Sequence, residues 1–142
     1  MYDAQTLLQG KLVLLIESDV FLVGYIADGL NRAGAQILGP ARSHYEANGL
    51  VSKLRTAPDA AVINVDIFEA ASFTARDTLI RVKVPLLLIA GRPRVLMPAS
   101  ERHAVLTTPF GAYQVIDHLC TVMKDRSAFV STSAGEPQLR GQ

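Results

Sequence analysis

The chain holds one cysteine and no tryptophan, and aromatics make up only 6% of its 142 residues. The single thiol, Cys120, excludes an internal disulfide framework, and no cluster of Cys and His has zinc spacing. Cys120 is expected instead as a small apolar residue on a buried helix face. Excess charge is missing too: 14 basic residues against 13 acidic ones leave +1, so bulk electrostatics favours neither nucleic acid nor an anionic membrane. A basic stripe interleaved with aromatics, the usual carrier of nucleic-acid binding, is absent. No apolar run approaches membrane-spanning length, and Met1-Tyr2-Asp3-Ala4 lacks the basic-then-apolar layout of a secretory signal. A soluble cytoplasmic protein is the expectation. Walker phosphate loops, Gly-x-Ser-x-Gly elbows and Gly-x-Gly-x-x-Gly fingerprints do not occur, and His44, His103 and His118 share no metal spacing. Nothing here assembles hydrolytic or redox chemistry, and no enzymatic activity is expected.

What is present is 49% hydrophobic side chains in a chain of single-domain size, enough for a core without staples. Leu12-Val13-Leu14-Leu15-Ile16 is a continuous apolar run that stops at Glu17-Ser18-Asp19, as in a strand buried on both faces. Val23, Ile26, Ala27 and Leu30 then recur at helical spacing over Val20 to Ala33, with Asp19 placed to cap and Gly34 to end the helix. A short strand is expected at Gln36 to Leu38, closed by Gly39-Pro40. A helix capped by Ser43 should run to about Thr56, with Ala47, Leu50, Val51 and Leu54 inward. Ala60 to Asn64 repeats the buried-strand pattern after the turn-like Pro58-Asp59. A weaker helix over Ala70 to Val82 leads to a strand opened by Pro85 and running to Ile89. Prolines 93 and 98 restrict the next helix to about Ala99 to Arg102. A last strand at Ala104 to Leu106 precedes a helix over Ala112 to Asp125, with Val115, Ile116, Leu119, Val122 and Met123 inward.

Buried strands alternating with helices predict an α/β fold: a doubly wound five-stranded parallel sheet of flavodoxin-like order 2-1-3-4-5. Residues 1–10 read as an N-terminal extension, 11–126 as the domain, and 127–142 as a polar, flexible tail. In such a sheet the functional crevice lies outside the carboxyl ends of the strands. Here that edge is Glu17-Ser18-Asp19, Asn64-Val65-Asp66, Ala90-Gly91 and Thr107-Thr108-Pro109.

These loops resemble those of the receiver domain of bacterial two-component response regulators, from about Lys11 to Lys124. The match rests on the acidic cluster after the first strand, the run Pro58-Asp59-Ala60-Ala61-Val62-Ile63-Asn64-Val65-Asp66, and the ending Thr107-Thr108-Pro109-Phe110. Segments 33–40 and 84–91 and the shortened fourth helix add to it. The resemblance implies a phosphorelay signalling module that takes a phosphoryl group from a kinase histidine onto an aspartate, assisted by a divalent metal. It places Asn64 at the acceptor, Glu17 and Ser18 at the acidic metal-holding positions, Ala90 at the switch hydroxyl, and Thr108, before Pro109, at the lysine. A carboxamide does not form an acyl phosphate, and magnesium prefers anionic oxygen. Phosphoryl transfer depends on positioning and charge neutralisation, and the groups for both are gone.

The resemblance therefore implies a degenerate, stand-alone pseudo-receiver that acts by protein–protein interaction, with no cofactor; weak Mg²⁺ binding near Glu17, Asp19 and Asp66 stays open. The alternative is a residual acceptor at Asp66, two residues past Asn64, whose other reading is a solvated turn or helix-capping aspartate. Arg92 and Arg94 either turn inward as fixed cations or face water. The implied partners are a sensor histidine kinase, another signalling protein or a second copy. Candidate contacts are Phe21 and Tyr25, four apart on the first helix, and the run Val95-Leu96-Met97, either a lid on the core or an exposed contact.

Overall fold

The computed structural model describes residues 7–93 and 95–132, the side chains of residues 99 and 126–132 excepted. Strands β1 (Leu12–Ile16), β2 (Gln36–Ala41), β3 (Ala60–Asn64), β4 (Leu86–Ala90) and β5 (Ala104–Thr107) form one parallel sheet of order β2-β1-β3-β4-β5. This is the flavodoxin-like arrangement expected. The helices are α1 (Val20–Arg32), α2 (His44–Ser52), α3 (Val65–Glu69), α4 (Ala75–Arg81), α5 (Pro98–Glu101) and α6 (Ala112–Thr132).

The two-residue period of the strands sorts the core into two layers. Val13, Leu15, Val62, Leu87 and Ile89 face α1 and α6, where Ile26, Leu30, Val115, Ile116 and Leu119 are buried. Leu14, Ile16, Ala61, Ile63, Leu86 and Leu88 face α2, α3 and α4, where Val51, Phe68, Phe73 and Leu79 close the layer. Both faces of the central strands are covered, which is why their sequences are continuous apolar runs.

Local chemistry sets the element ends. Asp19 caps α1 by accepting from Leu22 N at 3.0 Å, and Ser43 caps α2 by accepting from Glu46 N at 3.1 Å. Gly34, past the end of α1, has φ +93°, a conformation that glycine tolerates best.

Several boundaries differ from the sequence expectation. Strand β2 continues through Gly39-Pro40 to Ala41, because the ladder shifts register between Leu14 and Ile16 and resumes with Glu17 N donating to Ala41 O. Helix α2 stops at Ser52, short of Thr56, and Leu54 lies beyond its end. Of the helix expected over Ala70 to Val82, only Ala75–Arg81 forms, as α4, and a short helix that was not expected, α3, starts directly from β3. Thr74 makes no side-chain cap; Asn48 of α2 caps α4 from across the layer, accepting from Ala75 N at 2.9 Å while donating to Ser72 O. Helix α6 runs to Thr132, past the expected Asp125 and into the stretch expected as a flexible tail; the rest of that stretch, 133–142, lies outside the described residues, as does most of the N-terminal extension. Cys120 is half-buried against the α1/α6 layer, where burial pushes its thiol pKa up.

Candidate functional site

Strand β3 ends at Asn64 and the chain enters α3 with no intervening loop. This is possible because the Asn64 carboxamide caps the helix: Oδ1 accepts from Asp66 N at 2.8 Å and from Ile67 N at 3.2 Å. Its Nδ2 donates to Glu17 Oε2 at 3.0 Å, and that oxygen also accepts from Asp19 N at 3.0 Å. One side chain thus ties β1, β3 and α3 together at the carboxyl edge of the sheet.

Glu17 is fully buried, and its second oxygen, Oε1, has no hydrogen-bond partner. Burial raises its pKa above the ordinary 4.5, against the opposing pull of the Asp19 amide and the Asn64 carboxamide. Ala90 is buried beside this cluster on the strand edge and offers no hydroxyl. Thr108 turns its hydroxyl onto Gly91 O, and its backbone N donates to Ala90 O. Asp66 is exposed in the first turn of α3, and Arg92 is exposed; Arg94 lies outside the described residues.

Sequence reasoning missed Arg42. Its guanidinium donates to Ser18 O at 3.0 Å, while its backbone N donates to Glu46 Oε1. It stands on the β2–α2 turn, a position no local motif marks, and it brings a cation to the loop where the resemblance put a metal. Glu69 was missed for the same reason: its Oε2 accepts from Met97 N at 2.9 Å and from Ser100 Oγ at 2.6 Å, strapping the β4–α5 segment to α3. Behind it, Phe68 packs edge-on against His103 and under the Arg76 guanidinium.

At Ser18 and Asn64 this donor set lacks the anionic oxygens that a divalent cation prefers. Asn64 points its N–H, not its oxygen, at Glu17; one Glu17 oxygen already accepts two bonds; and Ser18 supplies no carboxylate. Among the described residues no three carboxylate, imidazole or thiol groups converge as ligands.

Next to the cluster lies an open cleft of about 500 Å³ between the start of α1 and the loops after β4 and β5. Phe21, Leu22, Tyr25 and Phe110 form its apolar walls, with Asp19 and Thr108 at the polar end. Phe21 and Tyr25 stack with rings 8° from parallel and centroids 6.2 Å apart, and Tyr25 meets Phe110 at 6.4 Å. Tyr25 Oη accepts from Ala112 N and so caps α6. Phe21 is 75% exposed and Tyr25 39%. The run 95–97 divides between its two readings: Leu96 packs on the core, while Val95 is 92% and Met97 51% exposed.

The fold matches solved structures. The N-terminal domain of a response regulator/sensory box/GGDEF three-domain protein from Carboxydothermus hydrogenoformans superposes with TM-score 0.69 at 17% identity, covering 84% of this chain and 99% of that one. A response regulator receiver protein from Sinorhizobium medicae gives 0.66 at 19% identity, covering 82% and 96%.

The fold is that of a response-regulator receiver domain.

The receiver domain of the PhyR response regulator from Erythrobacter litoralis is a further relative in fold, with TM-score 0.66, 21% identity and coverage of 82% and 92%. At these identities the likeness to receivers is one of fold. No family model and no curated protein matches the sequence. Among the described residues, no helix of this receiver fold is long and apolar enough to cross a membrane.

Proposed function

We propose that this chain is a pseudo-receiver of two-component signalling, which acts by contact with another protein and takes no phosphoryl group. The observation that carries the reading is the commitment of Asn64. Its oxygen is spent on two α3 amides and its nitrogen on Glu17, so the position where a receiver would hold a nucleophile is a structural clasp. The neutral Ala90 and Thr108 and the non-ligating Ser18 support the same reading, because charge on a transferred phosphoryl group would meet no metal, lysine or switch hydroxyl. Control then passes to the partner's presence. The surfaces suited to that partner, a sensor histidine kinase, another signalling protein or a second copy, are the aromatic face of α1 and the exposed Val95 and Met97.

Intact mass after incubation with acetyl phosphate and magnesium, read beside a magnesium and beryllofluoride titration, tests this. Unchanged mass and no saturable binding are expected. A phosphoryl adduct would overturn the proposal, and its loss in Asp66→Ala would put the acceptor at Asp66.

A further inference from the structure

The cleft beside α1 combines features that an apolar contact patch does not need. Its walls are aromatic, yet its charge is acidic: among the described residues lining it, Asp19 alone is charged. Asp19 is exposed; one of its oxygens, Oδ1, caps α1 through Leu22 N. The ring faces of Phe21, Tyr25 and Phe110 carry the negative side of their quadrupoles, and the exposed Asp19 carboxylate adds negative charge. Tyr25 is pinned by its bond to Ala112 N, and Gly29 lets α6 approach α1 closely, with Ala112 Cβ only 3.0 Å from where a β-carbon on Gly29 would sit. Gly91 also lines the cleft.

From this charge and shape complementarity we propose that the cleft is the receptor for a basic side chain, arginine or lysine, presented by a partner protein. The aliphatic stem lies along Leu22 and Phe110, the cationic head meets the aromatic faces, and Asp19 pairs with it at the rim. Arginine suits the site better than lysine, because its planar guanidinium stacks on rings while still donating to a carboxylate. The proposal rests on the reading of the α1 face as a partner-docking surface, and it states which chemistry the partner brings.

The test uses the full chain, ¹⁵N-labelled, titrated with N-acetyl-arginine methylamide and with the uncharged N-acetyl-norleucine methylamide. The arginine probe is expected to shift the amides of Asp19, Gly91 and Thr108 at millimolar concentration, and the norleucine probe to bind at least about three-fold more weakly. Asp19→Asn keeps the helix cap, since asparagine caps as well as aspartate, and removes only the charge. It should weaken the arginine probe about three-fold, and so should Phe21→Ala, whose ring is mostly exposed and not needed for folding. Equal affinity for the two probes, no shifts at these amides, or shifts unaffected by both substitutions would overturn the proposal. Failure here leaves the mass experiment above untouched, and a phosphoryl adduct there would leave these titrations untouched, so the two readings fail separately.

Discussion

Asn64→Asp exchanges the donating Nδ2 for an oxygen while leaving a capping oxygen for α3. Aspartate caps as well as asparagine, so the substitution isolates the bond to Glu17. That bond, 3.0 Å long and made inside a fully buried site, is replaced by two carboxylate oxygens facing one another. Losing a buried hydrogen bond and leaving its acceptor unsatisfied costs about 1–3 kcal/mol, and two carboxyls at this range cannot both ionise without further cost. The expected loss at pH 8 is about 2–4 kcal/mol, or roughly 6–12 °C in Tm for a chain of this size. Near pH 5 one proton can bridge the two groups, so the deficit should shrink. Thermal unfolding followed by circular dichroism at both pH values measures it. Glu17→Gln added to Asn64→Asp restores a donor between the same positions and should recover at least about half of the pH 8 loss. The reasoning is refuted if Asn64→Asp is as stable as the parent at pH 8, or if its deficit does not change with pH.

The wild-type pH profile should have two opposed limbs. Glu17, whose folded pKa is raised by burial, contributes stability that is fully present below its unfolded value near 4.5 and is lost as pH climbs through the folded value. His103, whose pKa burial lowers below 6.5 with help from Arg102, contributes stability present above 6.5 and lost as pH falls through the folded value. Glu17→Gln and His103→Phe should each remove one limb from a plot of urea midpoint against pH. Asn48→Ala removes the cap of α4 and the bond to Ser72 O, and should cost about 1–3 kcal/mol by urea unfolding; a change within error would mean that Thr74 or water replaces it. Glu69→Ala should speed amide exchange at Met97 and Ser100 with little change in the amides of β4, because the strap opens locally; uniform acceleration would show instead that the strap holds the whole domain.

Strands β1, β3 and β4 were legible because burial on both faces writes an unbroken apolar run. The caps Asp19 and Ser43 were legible because each sits directly before the helix it serves. Strand β2 was read three residues short, since Gly39-Pro40 marks a turn in most contexts and continues here only through a register shift against β1. The helix over 70–82 was started five residues too early because its cap reaches across the fold from Asn48 to Ala75, and α3 was missed because Asn64, its local cap, also ends an apolar strand run. At the carboxyl edge, the residues that the strand pattern marks were placed where expected. Arg42 and Glu69, which act through contacts 24 and 28 to 31 residues away in sequence, left no local signal.

The division of the core into two layers has a consequence during translation. Once Ala90 has left the ribosome, the layer built on Leu14, Ile63 and Leu88 has α2, α3 and α4 to cover it. The opposite layer, built on Leu15, Val62 and Ile89, has α1 and Leu8 but lacks Val115, Ile116 and Leu119 until α6 arrives. At ordinary elongation rates that interval lasts about 2–6 s, during which the part of that face covered by α6 is open. A chain truncated before Val115 is therefore expected to keep that face uncovered and to aggregate, which light scattering checks.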